Sequence, residues 1–149
     1  MNNYSKKIYK GFTLVELLVV MSIISILTAV ALPSYSLMRN YATLNGDTQE
    51  LISNLRLAQS RAMSAQDGLS WGVRLEADRY IIYGGDWSAP QFQTVHMLKN
   101  GIQIIQGVNS EVVFNRLYGT TADAAISIGF ISGKQKTVEV DSVGKISQL

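Results

Sequence analysis

The sequence predicts an α+β chain in which one long N-terminal helix is followed by an antiparallel β-rich domain. Two observations carry this. From Phe12 to Leu32 a 21-residue apolar run contains a single charged residue, Glu16, and apolar residues keep recurring at three- and four-residue spacing as far as Ala65. From Leu69 onward the period drops to two, and Gly, Asn and Asp punctuate the chain at short intervals.

The elements follow in order. Residues 1–11 are polar and basic, with Lys6, Lys7 and Lys10, and no fold is expected of them. Residues 12–32 reach roughly 31 Å as a helix, about the thickness of a bilayer's hydrocarbon core. The preceding lysines would hold the N-terminus in the cytoplasm and send the rest of the chain outward. Ser22, Ser25 and Ala29 share one side of that helix, either as a close-approach stripe or as the small residues common to any membrane span. Pro33 is expected to bend the helix rather than end it. Residues 33–67 continue it as an amphipathic segment, with Tyr35, Leu37, Met38, Tyr41 and Leu44, then Leu51, Leu55, Ala58, Ala62 and Ala65 as its apolar stripe. Asn54, Arg56, Gln59 and Arg61 mark the other side. Asn45-Gly46-Asp47 is a weak point that could break the helix, and Gln66-Asp67-Gly68 is the stop signal.

Residues 68–149 form the β-rich domain, read as an antiparallel meander of short strands. Trp71, Val73 and Leu75 alternate onto one face of the first strand, Ala77-Asp78 makes a turn, and Arg79–Tyr83 returns, closed by Gly84-Gly85. Residues 86–91, with Trp87 and Pro90, read as loop. Further strands are expected over 92–97, 102–105, 111–114, 125–131, 136–140 and 145–147, with residues 117–123 as loop and turns at Ser132-Gly133 and Val143-Gly144.

Composition narrows function. The 149 residues hold no cysteine, so neither disulfides nor thiol chemistry is available. The single histidine, His96, leaves little for a His-based metal centre or a catalytic triad, and no nucleophile stands at a recognisable spacing from it. Glu76, Asp78 and Asp86 surround the first hairpin but lack the spacing of a calcium loop, so solvated turn residues are expected and no metal or cofactor is assigned. Trp71, Tyr80, Tyr83 and Trp87 are candidates for an aromatic patch, with about half of them expected in the core. Without Lys6, Lys7 and Lys10 the chain has ten basic side chains against eleven acidic ones, so the formal charge of +2 is no sign of a nucleic-acid binder.

Glu16 is the informative residue. A carboxylate placed in lipid costs about 2.5–3.5 kcal/mol on insertion scales and therefore needs a partner. Lys10-Gly11-Phe12-Thr13-Leu14-Val15-Glu16 resembles the processing site of type IV prepilins and pseudopilins. That resemblance implies cleavage between Gly11 and Phe12 by a prepilin peptidase, N-methylation of Phe12, Glu16 as fifth residue of the mature chain, and Pro33 as the family's helix-bending proline. An ordinary signal anchor, or a secretory signal cut near Ala29-Val30-Ala31, are the competing readings of the same run.

Three later stretches resemble the H-type minor pseudopilins and FimT-like minor pilins: Leu55–Ala62, Val113–Gly119 and Thr137–Ile146. The resemblance implies a pilin fold and a non-enzymatic subunit of a type II secretion pseudopilus or type IV pilus. Its partners would be prepilin peptidase, other pilin or pseudopilin subunits and, before assembly, the bacterial inner membrane, with the C-terminal domain periplasmic. A DNA-binding FimT-like pilin is the alternative. The clustered C-terminal arginines of such binders are replaced here by Lys134, Lys136 and Lys145.

Overall fold

Helix α1 spans Leu14–Met63 and is followed by a 3₁₀ turn at Gln66–Gly68. The computed structural model describes residues 11–149 except residues 100 and 132, and omits the side chains of residues 30–34 and 36–37 within α1. The chain divides inside α1 into two units, Met1–Asn40 and Tyr41–Leu149.

In the first unit the side chains from Phe12 to Leu27 are exposed, including Leu17 and Leu18 at 58% each. The hydroxyls of Ser22, Ser25 and Thr28 donate to the carbonyls of Leu18, Met21 and Ile24 at 2.8, 2.8 and 2.7 Å. This back-bonding satisfies the polar groups within the helix, so its described surface is almost wholly apolar. Among the described residues no helix is long and apolar enough to cross a membrane. The described side chains of the expected 12–32 span stop at Ala29. The bend expected at Pro33 likewise lies outside the described side chains.

The second unit is built on two four-stranded antiparallel sheets, where the sequence suggested one meander. Its strands are β1 (Trp71–Leu75), β2 (Arg79–Asp86), β3 (Ala89–Met97), β4 (Gln103–Gln106), β5 (Glu111–Phe114), β6 (Ala124–Gly129), β7 (Gln135–Val140) and β8 (Ile146–Gln148). One sheet runs β3-β2-β1-β5 and the other β4-β6-β7-β8. The split arises because β5 pairs with β1, Trp71 opposite Phe114, rather than with its chain neighbours.

The helical stripe and both sheets share one core. Leu51, Leu55, Ala58 and Ala62 are fully buried against Val73, Leu75, Val112 and Phe114 of the first sheet and Ile126 and Val138 of the second. Each leucine, isoleucine, valine or phenylalanine so buried contributes about 1.5–3 kcal/mol. A smaller cluster joins Leu44 to Ile102 and Ile128.

The structure departs from expectation at several points. The helix does not break at Asn45-Gly46-Asp47. Asp47 is buried and accepts from the Lys99 backbone N–H at 3.0 Å and from Lys99 Nζ at 2.6 Å, which pins the turn to the β-domain. Ala65 does not extend the stripe; it lies beyond the helix in the left-handed region at φ 48°. Gly84-Gly85 is not a turn but the interior of β2. The register shifts between the two residues, Gly85 takes φ 98°, and Gly84 lies under the Trp71 ring, where a Cβ would sit 3.1 Å from it. The loop expected over 86–91 shrinks to Trp87-Ser88, because Asp86 Oδ1 accepts from both the Ser88 N–H and its hydroxyl at 2.8 and 2.7 Å. Pro90 sits in β3, which as an edge strand tolerates a missing N–H.

Candidate processing and assembly site

The residues singled out at the N-terminus lie at the start of α1. Gly11, Phe12 and Thr13 precede the helix, which begins at Leu14 rather than at Phe12. Gly11 is exposed, with no heavy atom within 4 Å of where its Cβ would stand, and Phe12 is 80% exposed. The Gly11–Phe12 peptide is therefore open on both sides.

Thr13 caps the helix. Its Oγ1 accepts from the Glu16 N–H at 3.2 Å, and its carbonyl accepts the first helical bond, from Leu17 N, at 3.2 Å. The sequence signal for this role is Thr-x-x-Glu ahead of an apolar run, the signature of a capping box. The cap places Glu16 in the first turn, where the helix dipole favours a carboxylate. Glu16 is exposed, and among the described residues no ion pair involves it. The arrangement presents an exposed peptide, then a cap, then an acid, within six residues at the same helix end.

The other candidates have local partners. Glu76 and Asp78 both face Arg79, whose guanidinium is raised above its ordinary pKa chiefly by the Glu76 hydrogen bond. Ser88 holds the Asp86 carboxyl below the usual carboxylate range. Among the described residues no group of three or more His, Asp or Glu could hold a metal ion. His96 stacks on Tyr80 with ring centroids 5.1 Å apart and lies 3.3 Å from Glu50. Trp71, Tyr80 and Tyr83 are buried, leaving Trp87 half-buried against Tyr83. Burial is the main cause that pushes the Tyr80 hydroxyl up to about 12, opposed by its bond from Asn54 at 2.8 Å.

The three later stretches of resemblance meet at one side chain. Gln59 Nε2 donates to the carbonyls of Gly119 and Gly144 at 3.1 and 2.8 Å, tying the 115–123 loop and the β7–β8 turn to α1. Gly144 adopts φ 83°, and a Cβ there would collide with the Gly119 carbonyl oxygen. Gln59, Asn54 and Arg61 thus turn into the fold rather than away from it; Arg61 lies 4.7 Å over the Trp71 ring. Arg56 is the exposed member of that set.

The prokaryotic N-terminal methylation motif matches residues 6–32. Two structures of the minor pseudopilin EpsH from the type 2 secretion system of Vibrio cholerae superpose on the chain. One, at 17% identity and TM-score 0.54, covers 71% of this chain and 95% of EpsH. The other, at 16% and 0.55, covers 72% and 96%. The chain carries the prokaryotic N-terminal methylation motif on a fold like that of EpsH. No curated protein sequence matches it. The helix end that bears the motif is also the one with exposed apolar side chains and a capped first turn.

Proposed function

We propose that the protein is a minor pseudopilin or minor pilin, held in the inner membrane by the start of α1 until it is built into a filament. Prepilin peptidase cuts between Gly11 and Phe12 and methylates the new Phe12 amine. The Glu16 carboxylate of one subunit then pairs with the Phe12 ammonium of its neighbour, which sets the axial register of apolar helix packing. The chain acts as a structural subunit, without catalysis or cofactor, and its likeness to EpsH favours a type II secretion pseudopilus.

One observation supports this most: the methylation motif runs into a helix whose apolar side chains are exposed from Phe12 to Leu27, while residues 41–149 have a core of their own. The DNA-binding alternative gains no support from the lysines. Lys134 lies over the Tyr41 ring at 4.2 Å, and Lys145 shares a surface cavity with Asp123, Glu139 and Asp141.

The test is incorporation. Glu16→Gln and Glu16→Val should leave membrane insertion intact and remove the subunit from sheared or cross-linked filaments. Incorporation of both variants at the normal level would overturn the pairing.

A further inference from the structure

Among the described residues the longest strand is an open edge. β3 runs nine residues, pairs there only with β2, and contains no charged residue. Phe92, Val95 and Met97 are 48%, 48% and 65% exposed. The other edges are blunted. β5 has four residues and opens with Glu111, β4 has four with a register shift between Ile104 and Gln106, and β8 has three. Proteins keep edges from pairing with charge, shortness, proline or bulges. Pro90 and the register shift opposite Gly84-Gly85 guard the start of β3, but from Phe92 to Met97 it has none of these.

The hydrogen-bond pattern identifies the free groups. Glu76 N donates to Arg79 O at 2.9 Å and Gly85 N to Ser70 O at 2.8 Å, so Arg79, Ile81, Tyr83 and Gly85 are the β2 residues that bond to β1. By the alternation of an antiparallel ladder, Tyr80, Ile82 and Gly84 bond to β3 at His96, Thr94 and Phe92. The bond from Leu98 N to Asp78 O, 2.9 Å, continues the same alternation. Gln93, Val95 and Met97 therefore direct their backbone N–H and C=O away from the sheet.

We propose that β3 pairs antiparallel with β3 of a second copy of this chain, about a twofold axis at Val95. The strand is self-complementary in that register. Val95 meets Val95, Gln93 meets Met97, Thr94 meets His96 and Phe92 meets Leu98, with no charge set opposite a like charge within the strand. A charged partner strand would find no counter-charge in β3. The proposal does not depend on how the N-terminus is processed.

The absence of cysteine makes the test direct. Single variants Val95→Cys, Gln93→Cys and Met97→Cys replace exposed side chains in the full-length chain. They are expressed in cells with the native partners and treated with a mild oxidant. Opposed Cα atoms in a hydrogen-bonded pair lie about 5.5 Å apart, inside the disulfide range. In the proposed register Gln93 lies about 13 Å from its own copy. Val95→Cys should give a homodimer at least about tenfold more abundant than either other single variant. Gln93→Cys co-expressed with Met97→Cys should restore it as a mixed dimer. Absence of the Val95→Cys homodimer, equal cross-linking by all three variants, or a Val95→Cys adduct whose mass shows a different protein would each overturn the proposal.

Discussion

The two halves of α1 are held by different forces. Before residue 30 the described contacts are local: a threonine cap, three hydroxyls bonded one turn back, and apolar side chains facing outward. After Tyr41 nearly every defining contact is distant in sequence. Leu55 meets two sheets, Asp47 holds Lys99, and Gln59 bridges Gly119 and Gly144. A helix half that makes its own bonds and offers an oily surface is built to be covered by something else. A half that buries its stripe is finished. The same secondary structure thus leaves its apolar side chains exposed at one end and buries them in a core at the other.

The largest expected effect comes from exchanging a leucine in each half. Leu55→Ala should destabilise the 41–149 unit by about 2–5 kcal/mol, measured by denaturant unfolding in detergent. Leu18→Ala, 58% exposed, should change that transition by less than about 0.5 kcal/mol. Equal effects would erase the distinction between the halves. Next is Asp47→Ala. It removes the acceptor of the Lys99 N–H and should cost about 1–3 kcal/mol although alanine is the better helix former.

Thr13→Ala should cost about 1 kcal/mol at the helix start alone. Hydrogen exchange should speed up at the Glu16 amide and stay unchanged at Leu55. A smaller gain is expected from Gly46→Ala. The new methyl meets only Lys99 Nζ, 3.8 Å away, so the helix should gain about 0.5–1 kcal/mol. Alkali should sharpen the comparison too. Tyr80 titrates near 12 in the fold against 10 for the free group, so the fold holds the proton more tightly than the unfolded chain does. Stability is then full below pH 10 and falls as pH rises from 10 to 12. Tyr80→Phe should flatten the alkaline limb of the unfolding curve.

The same contrast explains what could be read ahead. The helix end and the motif that marks its candidate site were legible because they are local. Gly11-Phe12-Thr13 with Glu16 is contiguous, and Leu51, Leu55, Ala58 and Ala62 declare their face by spacing alone. β5 was legible to the residue, as a short apolar run between turns. Its partner was not, since nothing near Phe114 in sequence indicates Trp71 across the ladder. That missing link turned two sheets into one expected meander. Gly84-Gly85 misled because glycine marks a turn or a close approach with the same letter, and the Trp71 ring that decides between them is thirteen residues away. Asn45-Gly46-Asp47 looked weak because Lys99, which secures it, lies on the far side of three strands.

Intact-mass and N-terminal analysis of the protein extracted from membranes of cells with active prepilin peptidase decides whether Gly11–Phe12 is cut. The expected product is a chain beginning at Phe12, heavier by one methyl group on its amine. A chain that still carries Met1–Gly11, or one beginning after Ala31, would contradict it.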